Sequence, residues 1–371
     1  IDPTRGPLLA KLDPIVAAGL AGSPPSPPEL ISLMLDMYGA YGIGRYEMSD
    51  MSVTGLDFSA TVATMITQGL NSAGLERFAI EGVSVDGEQG KGSLESFEVR
   101  NITFPERETF MGFVMNQMIG VPFTPADLAA IPTLGGISVK GLRSESTMTP
   151  TVELDLFDLS LSGFVNAIPT SIAVTLEGLQ LPLALVQQPM AQMVLGAVGA
   201  DPVEADLSLT LGFDEGSGTF SLDNDTTVGN VGALTAEAAL SGIPAVILQN
   251  PMRANEAIAT ATINGIEIRF DDQGITPFMV GMMAEQAGIS AAEFANGMAE
   301  QVQMQIAMMT GDTALAEQLA NTVSAYLTDP PSLLISARPA NPVPIAQLIG
   351  AAMAAPQQIP QLLNLTISGN P

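Results

Sequence analysis

The side chains able to do chemistry in this chain are mostly carboxylates. Asp223, Asn224 and Asp225, and the pair Asp271 and Asp272, offer the hard oxygen ligands that calcium takes. Neither stretch has the spacing of an EF-hand loop, so they read as solvated turns and no metal is expected. Glu106 with Glu108, and Glu293 with Glu300, are the acid pairs nearest to glycosidase use. Nothing around them separates a proton donor from a nucleophile, and surface solubility is the plainer reading. The glycine-rich segment 86–92 lacks the GxxxxGK[S/T] order of a phosphate loop and joins two strand-like stretches, which makes it a hairpin turn. Histidine and cysteine are both absent. Their absence removes Ser-His-Asp and Cys-His catalysis, ordinary zinc sites and disulfides. No GxSxG elbow is present, nor an SxxK with its partner motifs. No enzyme and no cofactor is expected, and a binding or structural role gains by elimination.

Composition narrows the partners. Of 371 residues 47% are apolar and only 14% charged, with 12 basic against 39 acidic side chains and a net charge of −27. That balance repels nucleic-acid phosphates and anionic lipid surfaces while keeping an apolar chain in solution. No nucleic-acid partner is expected. With no tryptophan and four tyrosines, stacking platforms for sugars or bases are scarce. No apolar run reaches the roughly 20 residues of a membrane span, since Pro182, Gln187, Gln188, Pro189 and Gln192 interrupt the nearest one. The opening Ile1-Asp2-Pro3 fits a processed or trimmed product. Only three lysines, Lys11, Lys91 and Lys140, fit a periplasmic or otherwise exported bacterial protein.

The twenty methionines carry the sharper signal. Unbranched thioethers adapt to irregular apolar shapes and are over-used at promiscuous hydrophobic surfaces. Met111, Met115 and Met118 stack on one side of an expected helix, and Met193, Met279, Met282, Met283, Met304 and Met308 fall on others. These nine are the candidate ligand-binding residues, lining an apolar cavity or groove for a lipid or another hydrophobic small molecule. Ordinary packing of helices on a sheet uses the same residues.

The elements that must position them follow a recurring pattern. Tyr46-Glu-Met-Ser-Asp50-Met-Ser-Val53 shows it first: apolar residues alternate, one turn-prone residue intervenes, and the alternation resumes in the opposite phase. The pattern returns around Gly82, Asn101, Asp158, Gly178 and Gly265, and partially around Gly141. A strand has a side-chain period of two, so the intervening residue must be absorbed by a bulge, which Gly, Asn and Asp tolerate in left-handed conformation. Two short strands joined by a tight turn would give the same pattern.

In chain order, residues 1–45 read as a helical segment punctuated by a proline run, 46–271 as a curved β-sheet with interleaved helices, and 272–371 as a mainly helical region packing on the sheet. Residues 58–70 read as one of the interleaved helices. The cleanest alternation, Val203 to Phe213, predicts a strand with one buried and one wet face. Pro105, Thr276-Pro277, the Ser290 and Glu293 capping box and Asp312 predict helix starts, and residues 363–367 a closing strand. The fold class expected is α+β: a curved, bulged antiparallel sheet with Met-rich helices on one face.

These bulged strands, with proline-opened helices between them and no catalytic residues, resemble bacterial envelope proteins of the AsmA-like and tubular lipid-binding kind. The resemblance spans about residues 46–270 as a pattern and implies an apolar sheet face that holds or conducts lipid; the helical final hundred residues depart from it and favour a closed carrier over a bridge. Two readings follow, a non-enzymatic envelope protein carrying a hydrophobic ligand and a structural or assembly subunit whose apolar faces meet envelope protein partners.

Overall fold

The computed structural model describes residues 42–146, 150–311 and 313–369. The helices expected before residue 42 and the cap expected at Asp312 lie outside them. Fourteen strands form an open, mainly antiparallel sheet: β1 (Ile43–Thr54), β2 (Phe58–Leu70), β3 (Gly74–Gly87), β4 (Gly90–Thr103), β5 (Thr133–Ser146), β6 (Val152–Val165), β7 (Ile168–Leu181), β8 (Val203–Asp214), β9 (Thr219–Val228), β10 (Gly232–Ser241), β11 (Thr262–Asp272), β12 (Ser332–Ala337), β13 (Val343–Pro344) and β14 (Leu365–Gly369). Neighbours follow chain order from β1 to β12 and then β14, with the short β13 paired to β11. Helices sit in the connections: α1 (Arg107–Met118), α2 (Pro189–Ala197), α3 (Val246–Gln249), α4 (Asn255–Thr260), α5 (Ile275–Ala287), α6 (Ala291–Thr310), α7 (Thr313–Thr328), α8 (Ile345–Ala354) and α9 (Ile359–Leu363). The α+β class read from the sequence is the one observed.

The described residues fall into two compact units. One holds 42–88, 92–139 and 160–169; the other holds 89–91, 140–159 and 170 onward. The division passes through strands.

The repeated pattern is built as continuous strands. Asp50, Gly82, Asn101, Gly141 and Gly178 all have left-handed backbone, with φ of 54°, 63°, 51°, 59° and 63°, and each lies inside one strand of 12 to 14 residues. That decides against two strands joined by a turn. On β7 the bulge sets Glu177 and Gly178 opposite the single residue Asp206, whose carboxylate accepts the Gly178 N–H at 2.8 Å. Two of the expected centres differ. Asp158 is not left-handed, and on β11 the irregularity falls one residue before Gly265, at Asn264, because Ala239 pairs with Gly265 and Leu240 with Ile263.

In the first unit apolar residues pair across three strands on both sides of the left-handed Asp50 and Gly82. Met48, Met65 and Ile80 stand opposite one another on one side of the break, and Met51, Val62 and Val83 on the other. The helix expected over 58–70 is strand β2 instead. Phe58, Val62, Met65 and Ile66 imitate helical spacing, while Thr61, Val62, Thr64, Ile66 and Thr67 are β-branched and suit a pleated surface. Asp223, Asn224 and Asp225, expected in a turn, lie inside β9.

In the second unit α5, α6 and α7 pack through small residues at four-residue spacing: Val280 and Ala284, Ala295 and Ala299, Ala316 and Ala320, all buried. Small side chains let the helix axes approach closely. Ser290 caps α6, its hydroxyl accepting the Glu293 N–H at 3.2 Å while the Glu293 carboxylate accepts the Ser290 N–H at 2.8 Å. Asp272 accepts N–H groups of Gly274 and Thr276 at 2.7 and 2.9 Å where α5 begins.

The left-handed centres give a direct test. Gly82→Val should lower stability by about 1–3 kcal/mol, since a side chain there meets strain and the Ala63 Cβ at 2.7 Å, whereas Asn101→Gly should be neutral or slightly stabilising. Chemical denaturation of both variants measures this, and equal behaviour of the two would refute the assignment.

Candidate functional site

The alternation of β8 extends sideways through the second unit. Three rows of directly paired residues cross seven strands from β7 to β14. The first is Ile172, Leu211, Leu222, Ala238, Ile266, Ala337 and Leu365; the second is Val174, Leu209, Asn224, Ala236, Ile268, Ile335 and Ile367; the third is Leu176, Leu207, Thr226, Leu234, Phe270, Leu333 and Gly369. Within each strand these positions are two apart, so all three rows share a face. Asn224 and Thr226 are the polar exceptions near the middle. For Asn224 the partners lie within the sheet. Its Nδ2 donates to the Leu234 carbonyl at 3.2 Å and its Oδ1 accepts the Thr226 hydroxyl at 3.1 Å, so its polar groups are occupied within the sheet.

This face is not sealed. Leu234 and Ile268, diagonal neighbours at its centre, are each 39% exposed, and among the described residues no large side chain is fully buried. Full burial of such a side chain stabilises by about 1.5–3 kcal/mol, so the face retains unsatisfied apolar surface. Something that covers it gains that free energy.

The opposite face is acidic. Asp223, Glu237 and Glu267 stand directly across from one another on β9, β10 and β11. Like charges in that relation destabilise a sheet, and the Arg338 guanidinium, 2.7 Å from Glu267, offsets part of the repulsion. A depression of about 380 Å³ lies among these four residues. Among the described residues no three carboxylates gather closely enough to hold a metal ion. In the first unit Arg77 bridges Glu98 at 2.7 Å and Glu81 at 2.8 Å, and these hydrogen bonds, that to Glu98 foremost, raise its already high pKa.

The nine methionines lie on helices and none belongs to the paired rows. Met111, Met115 and Met118 are on α1 in the first unit; Met193 is on α2, Met279, Met282 and Met283 on α5, and Met304 and Met308 on α6 in the second. Met111, Met279 and Met282 are half-buried; the other six are exposed, Met308 at 86%. The helix seams are closed by alanine, which leaves the bulkier thioethers outside. None of the nine lines the acidic depression or a second one, of about 540 Å³, beside α7 and Gly369. The apolar rows escaped residue-by-residue reading because their lateral continuity depends on register. The β8 alternation was their one visible signal.

Where α7 meets the start of α5, the buried Tyr326 hydroxyl lies 3.1 Å from the Thr276 hydroxyl. Burial, chiefly, pushes the phenol's pKa above its ordinary value. No helix among the described residues is long and apolar enough to cross a membrane.

A family described only as "Uncharacterized protein" matches residues 225–370. The match runs from inside β9 to the last strand and includes α3 to α9. No curated protein matches the chain.

A raised tyrosine pKa stabilises the fold below the ordinary value near 10 and loses that contribution as pH rises through the raised value. Tyr326→Phe should therefore lower stability at neutral pH by about 0.5–1.5 kcal/mol through the lost hydrogen bond, and should soften the fall in melting temperature above pH 10. Thermal melts from pH 7 to about 11 check both; an alkaline limb unchanged by the substitution would contradict the assignment.

Proposed function

We propose that this chain is a non-enzymatic binding protein of a bacterial cell envelope that holds a hydrophobic ligand, such as a lipid acyl chain, along the apolar face of its second unit. The observation that carries the reading is the three-row face, seven strands wide and open at Leu234 and Ile268. Seven strands at about 4.8 Å spacing extend about 29 Å, roughly twice the acyl depth of one bilayer leaflet. At the β14 end the face is covered, since a side chain at Gly369 would meet Thr322 and Tyr326 of α7, so the open part lies around Leu234 and Ile268. The acidic opposite face keeps such a protein in solution when unloaded. The exported setting rests on the low lysine content and on the resemblance to envelope lipid-handling proteins.

A second reading has its own support. Met252, Met308 and Met353 are 85%, 86% and 85% exposed and lie off the paired rows. An assembly subunit would use such side chains against protein partners.

The two readings separate by substitution. Leu234→Asp with Ile268→Asp should weaken capture of a fluorescent long-chain fatty acid at least about tenfold, while Met308→Asp should leave it unchanged. Fluorescence titration of folded variants measures this. Full binding by the double variant would reject the sheet face as the site, and loss of binding in Met308→Asp would favour the methionine helices.

A further inference from the structure

An open sheet has two edges, and here they are unlike. At one end β14 is five residues long and α7 packs against it. At the other, β1 is a 12-residue strand with ten exposed positions, and of the described strands only β2 pairs with it. It has no proline, no lysine and no register shift, since Ser49 pairs with Thr64 and Met51 with Val62 across the left-handed Asp50; its charged side chains are Arg45, Glu47 and Asp50. Tyr46 and Val53 on this strand are 50% and 62% exposed.

The strand is complementary to itself. Laid antiparallel against a second copy so that paired residue numbers sum to 99, Tyr46 faces the second copy's Val53 and Met48 its Met51. All four apolar positions then meet apolar positions on the same face. A shift of one residue either way sets each of them opposite a polar side chain. The same register places Arg45 opposite Thr54, Glu47 opposite Ser52 and Asp50 opposite Ser49, so no like charges stand directly across from one another. Arg45 and Glu47 are already paired within the strand at 2.7 Å.

We propose that β1 is a homodimerisation edge, joining two copies of the chain by antiparallel β1 pairing about a two-fold axis in this register. Each copy carries −27 charges, so association opposes a long-range repulsion that salt screens. The dimer fraction rises with ionic strength.

Sedimentation velocity of the full chain, from micromolar to submillimolar concentration at low and high salt, gives the oligomeric state. The absence of native cysteine allows a register test. Tyr46→Cys and Val53→Cys, made separately and then mixed, place thiols on directly opposed residues, whereas in either variant alone they lie about 24 Å apart. The expected result is a salt-promoted dimer and disulfide crosslinking about tenfold greater in the mixture than in either variant alone. A chain that sediments as a monomer throughout, or a mixture that crosslinks no better than the single variants, overturns the proposal.

Discussion

The structure depends on one backbone constraint: a strand must change the phase of its side-chain alternation without ending. A residue in left-handed conformation does this, and Asp50, Gly82, Asn101, Gly141 and Gly178 all occupy it inside a continuous strand. L-residues other than Gly, Asn and Asp resist that conformation by about 1–2 kcal/mol, which limits the side chains found there. The consequence shows in the first unit, where Met48 and Met51 both align with apolar neighbours although they are three residues apart. Without the switch, half of each such strand would turn its apolar side chains to the wrong face.

The same economy shapes the faces of the second unit. Its three apolar rows are contiguous and half-open, while the facing carboxylates of Asp223, Glu237 and Glu267 gather on the other side. An isolated sheet built this way tolerates cross-strand repulsion on one surface and incomplete burial on the other. Both costs fall if an apolar molecule covers the open face, because burial then adds free energy that the unloaded chain lacks. The alanine seams of α5, α6 and α7 hold these helices to one another.

Much of the fold was legible in the sequence, because each signal was local. The Ser290 and Glu293 cap, the strict alternation of β8 and the turn-prone residues between apolar pairs each reflect a backbone requirement met within a few residues. Failures came where a local pattern has two meanings. The apolar residues of β2 copy helical spacing between Phe58 and Ile66, and only the β-branched residues among them mark a strand. Asp223, Asn224 and Asp225 resemble a turn in isolation, yet β8 and β10 pair with them on both sides and hold them in a strand. The methionines were legible as helix residues but not in orientation, since which helix face is covered depends on neighbours distant in sequence. The candidate site was the least legible part: no single strand contains it, and its rows exist only once seven strands are in register.

The central claim, that the open apolar face of the second unit holds a hydrophobic molecule, is tested most directly by native mass spectrometry of the purified full chain, followed by organic extraction and lipid analysis. The account predicts a discrete additional mass that extracts as a lipid and disappears when Leu234 and Ile268 are replaced by aspartate. A chain that carries no added mass and takes up none from offered lipid, while remaining folded, would contradict it.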